Sequence, residues 1–144
     1  MRGGFPLPDV DWQPTRELWA GAARGELRVT RCTTCERLVW YPETPCRHCG
    51  GADLVWTSVS GRGTLFTWSV VRHGWIPQFA NLLPFVTGLV ALAEDPAVRL
   101  ATYVVDCAPE DLRCDMPLRV SFRPLRFAGV EGEVIAPLFA PAPP

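Results

Sequence analysis

The sequence predicts a mainly β fold: one short N-terminal helix, a small metal-pinned ribbon, and then a five-stranded barrel. Three observations carry this. Two C-x-x-C pairs, Cys32/Cys35 and Cys46/Cys49, stand ten residues apart in the first third of the chain. Beyond them, short segments rich in β-branched and aromatic residues follow one another with no long helical pattern between them. Gly61 and Gly63 bracket Arg62 at the entry to that β-rich region, where a strand must bend to coil around a barrel corner.

The cysteine pairs define the centre of the N-terminal third. Each C-x-x-C turns two thiolates toward one point, and two such knuckles make a tetrahedral sulfur cage, the geometry of structural zinc. Four protein ligands leave no open coordination position, so the metal is expected to hold structure and perform no chemistry. Two disulfides are the rival reading. The opening Met1-Arg2-Gly3-Gly4-Phe5-Pro6 has no basic segment followed by an apolar one, so a reducing, cytoplasmic setting is expected, and there the pattern favours metal. A redox C-x-x-C needs only one pair. Iron in a rubredoxin-type site uses the same four thiolates, and spacing alone does not separate it from zinc. Glu36 follows the first pair where the second has Gly50, so the first knuckle is under strain if its backbone needs φ > 0 there.

Around the cage the elements follow in order. Residues 1–12 are rich in proline and glycine and read as an extended arm carrying Phe5 and Trp12, which packs either on the ribbon or on a partner. Residues 14–24 form a short helix, with Thr15 as N-cap, Glu17 in the first turn, Gly25 at the end, and Leu18, Trp19, Ala22 and Ala23 as its apolar stripe. The ribbon is expected over 26–54, with strands at 26–31 and 38–41 flanking the first knuckle, and the arm and helix over 1–25. The barrel is expected over 55–140, with strands at 54–60, 64–72, 85–93, 98–106, 118–123 and 132–138 and a turn at Asp95-Pro96. Such a set of strands without a long helix fits a closed Greek-key barrel of the OB type.

Composition narrows the function classes. The chain has 144 residues, 48% of them hydrophobic, so it can bury a core. Its formal net charge of −1 gives no general attraction to nucleic acid, and every basic residue is arginine. Arg119, Arg123 and Arg126 are the one local basic cluster, suited to phosphates of coenzyme A or of RNA. No apolar run reaches membrane-spanning length. Only two histidines are present: His48 lies inside the second C-x-x-C, and His73 opens a long apolar loop. No constellation supplies a nucleophile with its base, so catalysis by this chain alone is not expected. Cys107 and Cys114 lack metal spacing and read as small buried or half-buried thiols. The loop 73–84 is the strongest candidate for a working surface, with His73, Trp75 and Phe79 as partner or acyl-CoA contacts; folding back as a plug on the barrel is the rival reading.

Taken in order, these segments resemble a known family. The run includes Thr15-Arg16-Glu17-Leu18-Trp19, then Gly25-Glu26-Leu27 leading to Cys32-Thr33-Thr34-Cys35. Tyr41-Pro42 precedes Cys46-Arg47-His48-Cys49-Gly50. Ser60-Gly61-Arg62-Gly63-Thr64, Leu83-Pro84-Phe85 and Met116-Pro117-Leu118-Arg119-Val120 follow. Over residues 8–125 the chain is similar to the acyl-CoA-associated OB-fold proteins with an N-terminal rubredoxin-like zinc ribbon. The resemblance implies a non-catalytic accessory subunit that binds a thiolase-like enzyme, an aldolase or acyltransferase of acyl-CoA metabolism. It implies a partner in the form of a thiolase-fold dimer, giving a heterotetramer, and a coenzyme A thioester bound jointly with that partner. Steroid side-chain degradation is one setting that the relatives suggest. A zinc-ribbon and OB-fold module for single-stranded nucleic acid is the alternative; it would need a basic groove with stacking aromatics.

Overall fold

The computed structural model describes residues 4–143; the first three residues of the expected arm and the last of the Pro-rich tail lie outside the described residues. The chain forms α1 (Arg16–Ala23), β1 (Leu27–Cys32), β2 (Leu38–Val39), β3 (Leu54–Val59), β4 (Arg62–Val71), β5 (Phe85–Leu92), β6 (Arg99–Val104), β7 (Pro117–Leu125) and β8 (Val134–Pro141). Short 3-10 turns at Pro77–Phe79 and Pro109–Asp111 interrupt two of the loops. No helix among the described residues is long and apolar enough to cross a membrane.

Two sheets result. The first is three-stranded and antiparallel, in the order β2-β1-β3. The second closes on itself as a five-stranded barrel, β4-β5-β6-β8-β7, with β7 returning to pair with β4. The expected barrel is there. The strand at 54–59 pairs with β1 along its whole length, from Leu27↔Val59 to Cys32↔Leu54, and so belongs to the ribbon sheet. The barrel therefore begins at Arg62, after a sharp bend.

That bend requires its glycines. Gly61 has φ +76°, and a Cβ there would lie 2.3 Å from a methyl of Val120, whose own amide donates to the Gly61 carbonyl at 2.7 Å. A Cβ on Gly63 would lie 2.4 Å from the carbonyl oxygen of Ala91 on β5. The Val120 side chain at Gly61 and the β5 backbone at Gly63 leave no room for a side chain. The β-bulge itself comes later, between Leu65 and Thr67. It leaves Phe66 exposed on the outer surface with the Arg99 guanidinium 3.7 Å above its ring.

One core serves both parts. Leu18 of α1, Leu27 and Val29 of β1 and Leu38 of β2 join Leu65, Val90, Leu100, Leu118 and Phe139 of the barrel in a single buried cluster. Helix α1 packs on both β1 and β8 and wedges the two sheets together. Its Glu17 holds Arg28 of β1 at 3.1 Å, and Arg37 beyond β1 reaches Asp95 of the β5–β6 turn at 3.5 Å. Thr15 stands at the N-cap position, yet its side chain makes no capping bond; it is buried instead, so packing and not capping is its contribution. Asp95 closes the β5–β6 turn as expected, its carboxylate accepting from the Ala97 amide at 3.0 Å. In the arm, Trp12 stacks on Tyr41 of the ribbon with ring centroids 6.3 Å apart while staying half-exposed.

Candidate functional sites: a four-thiol cage and an exposed apolar loop

The two knuckles repeat one backbone turn. In the first, the Glu36 amide donates to the Cys32 carbonyl at 3.0 Å and the Thr34 amide points at the Cys32 sulfur at 3.4 Å. In the second, the Gly50 amide donates to the Cys46 carbonyl at 2.8 Å and the His48 amide points at the Cys46 sulfur at 3.4 Å. Both turns need left-handed backbone at the fifth residue: Gly50 has φ +76° and Glu36 has φ +62°. The strain anticipated at Glu36 is therefore present. Strand β1 ends in the first knuckle and β3 begins just after the second, so the fully paired β1–β3 ladder holds the knuckles face to face.

The four sulfurs lie within 4.8 Å of one another, with Cys32–Cys49 at 3.6 Å and Cys35–Cys46 at 3.9 Å. A tetrahedral ion with bonds of about 2.3 Å to each sulfur would place the sulfurs about 3.8 Å apart. The donor set and its spacing fit a structural zinc: among the described residues the cluster is these four cysteines, which would fill a tetrahedral ion's positions. The thiols also press for a cation. The backbone amide of Cys35, followed by that of Thr34, outweighs burial and draws the Cys32 thiol down to about 6. The Gly51 amide favours the Cys49 thiolate, but burial and the neighbouring sulfurs outweigh it and push that thiol up to about 12. Four thiolates so close together need a bound cation to coexist.

The 73–84 loop divides into an inner and an outer half. Phe79, expected beside Trp75 as a contact, packs inward on Phe85 and Phe127, with centroids at 5.9 and 5.3 Å. Asn81 ties the loop to the segment after β7, donating to the Arg126 carbonyl at 3.3 Å and accepting from the Ala128 amide at 3.1 Å. Trp75 is left 97% exposed, with Ile76 exposed beside it and His73 at the loop's start. These residues rim a cavity of about 250 Å³ floored by Val71 and Phe85. Phe79 thus packs half-buried against its neighbouring rings, and Trp75 faces solvent.

The other candidates resolve differently. Arg123 is engaged by Asp106 through two hydrogen bonds and by Ser121 Oγ at 2.9 Å, and Arg126 by Glu133 at 2.5 Å. The expected basic cluster is thus largely neutralised by its own carboxylates, and Asp106 is held below the usual carboxylate range by the Arg123 hydrogen bonds. Cys107 is half-buried, and burial raises its thiol, the reverse of nucleophile activation. Cys114 is exposed, contrary to expectation, because it lies in the turn that leads into β7.

Comparison with known proteins agrees with this architecture. Residues 19–55 match the family model of the ChsH2 rubredoxin-like zinc ribbon domain, and residues 56–123 that of the ChsH2 C-terminal OB-fold domain. A probable enoyl-CoA hydratase alpha subunit from Thermomonospora curvata is 32% identical over 127 residues, covering 88% of this chain and 37% of that protein. The chain thus spans little more than a third of that relative. A DUF35 domain-containing scaffold protein from Methanocaldococcus jannaschii is 29% identical over 105 residues, covering 72% of each chain. Among solved structures, a chain of the Ltp2-ChsH2(DUF35) aldolase superposes with a TM-score of 0.77 at 28% identity, covering 95% of this chain and 100% of that one. A DUF35 family protein from Sulfolobus solfataricus shares the fold alone, with a TM-score of 0.60 at 10% identity. With its ribbon and barrel matched in order along the chain, this protein belongs to the ChsH2-like DUF35 family, in which a rubredoxin-like zinc ribbon precedes an OB-fold domain.

Proposed function

We propose that this chain is a non-catalytic subunit that docks on a thiolase-like enzyme of acyl-CoA metabolism, an aldolase or acyltransferase, and helps to form its coenzyme A thioester site. Cys32, Cys35, Cys46 and Cys49 hold one structural zinc, which fixes the ribbon and, through the shared core, the barrel. The observation that carries the reading is Trp75, fully exposed on a loop that Phe79 and Asn81 anchor. An unprotected tryptophan on a fixed loop is the kind of side chain that dominates a docking interface. The likeness to a chain of an aldolase complex and to proteins named as scaffolds supports it. The hydratase name of another relative widens the range of partners that act on CoA thioesters. His73 and Ile76 flank the contact, and Phe79 positions it. A two-fold partner offers two equivalent sites, hence a heterotetramer. The subunit is expected in the cytoplasm, and steroid side-chain degradation is one setting for its partner.

The test is co-purification of the tagged chain with the thiolase-like product of an adjacent gene, with the partner's turnover of acyl-CoA measured with and without this chain. A stable complex with higher turnover is the expected result. The isolated chain should show no turnover on a panel of acyl-CoA thioesters; turnover that disappears in His73→Ala would show it to be an enzyme itself.

A further inference from the structure

A larger cavity, of about 550 Å³, lies on the outside of the barrel beneath α1, apart from both the cage and the Trp75 loop. The strand register shows how it is built. Ser69 of β4 pairs with Thr87 of β5, which pairs with Tyr103 of β6. One step along, Thr67 pairs with Leu89, which pairs with Ala101. Paired residues share a face, and the alternate residues Val86, Val90, Leu100 and Val104 are buried in the core, so these two rows face outward. The first row is all hydroxyls; the second is mostly apolar. Trp19 of α1 and Leu138 of β8 complete the groove on the helix side.

Two features define what fits. First, none of the residues lining the groove is charged, in a chain where 20% of residues are. Second, the adjoining cavity of about 410 Å³, which shares Tyr103, Leu125 and Leu138, does hold Arg123 and Arg126, but Asp106 and Glu133 already occupy them. The two cations of that adjoining cavity are thus already paired and offer little to an anionic head group. The volume falls within the roughly 300–1,000 Å³ typical of small-molecule sites, which are likewise apolar with a few placed hydrogen-bonding groups.

We infer that this groove binds an uncharged apolar ligand, a chain or ring system bearing hydroxyl or carbonyl groups, with its body on Leu89, Ala101 and Trp19 and its polar groups on the Ser69–Thr87–Tyr103 row. The inference stands apart from the docking reading, since the chain alone should bind. The experiment titrates the purified full chain with the uncharged fluorophore N-phenyl-1-naphthylamine, with 1-decanol as competitor. Energy transfer from tryptophan should saturate at one probe per chain, and decanol should displace the probe. Ala101 is an exposed strand residue, so Ala101→Trp, which fills the groove floor, and Ala101→Glu, which charges it, should both fold, as checked by zinc content and circular dichroism. Each should weaken binding by about tenfold or more, while Trp75→Ala leaves it within about twofold. Absence of saturable binding, as when the groove is instead the seat of a partner's side chains, overturns the inference. So does equal binding by the Ala101 variants, or loss of binding in Trp75→Ala, which would place the probe at the loop.

Discussion

Glu36 and Gly50 occupy the same position in two copies of one turn, and only one of them is a glycine. A left-handed backbone costs a non-glycine residue about 1–2 kcal/mol, while glycine returns part of that through a more disordered unfolded chain. Glu36→Gly is therefore expected to stabilise the protein by up to about 1 kcal/mol, measured by urea unfolding of the zinc-loaded chain. At the barrel mouth the sign reverses. Gly63→Ala drives a methyl into the Ala91 carbonyl and should cost about 1–3 kcal/mol in the same assay. Glu94 supplies a pH-dependent contribution. Burial raises its carboxyl, but the hydrogen bonds from Ser60, including an amide at 2.6 Å, outweigh that and lower it overall. A carboxyl lowered in the folded state stabilises above its unfolded value, roughly 4.3, and that contribution is lost as pH falls through the lower folded value. Glu94 is exposed, so the effect should stay under about 1 kcal/mol. Glu94→Gln should flatten the acid limb of the stability profile, below the ordinary carboxylate value, relative to the parent.

At the scale of elements, the strands and the cage were legible in the sequence because their signals are local. The C-x-x-C spacing encodes the knuckles, and alternation with β-branched residues encodes β4 to β8. The arrangement of partners was not. Strand β3 carries the same β-rich pattern whichever sheet it joins; its allegiance is settled by six pairings with β1, a long-range fact. Phe79 and Trp75 look alike as exposed-loop aromatics, and only Phe85 and Phe127, distant in sequence, decide that one turns inward. The arginines at the end of β7 and just after it looked like a basic patch because Asp106 and Glu133, which neutralise Arg123 and Arg126, are distant or unmarked as partners in the sequence. The groove under α1 had no sequence signal either, since its rows run across three strands. Element packing also changes what metal loss should do. Leu27, Val29 and Leu38 of the ribbon sit in the barrel's own core, so Cys46→Ser should lose the metal and also lower the unfolding midpoint of the barrel. A separate barrel transition at the parent midpoint, followed by circular dichroism, would show that the two parts do not share stability.

Across the whole molecule, a closed barrel, a metal cage and a wedged helix make a rigid body that carries one tryptophan outward on an anchored loop. Rigidity of that kind lowers the ordering cost of docking, which suits a subunit whose contribution is to a partner's site. The measurement that tests this most directly is size-exclusion chromatography with light scattering on this chain mixed with the thiolase-like product of an adjacent gene, for the parent and for Trp75→Ala. The account predicts co-elution at the mass of two copies on an enzyme dimer, with Trp75→Ala weakening assembly by about 2 kcal/mol or more and retaining its full zinc content. Separate elution of the parent at micromolar concentration, with partner activity indifferent to mixing, would contradict it.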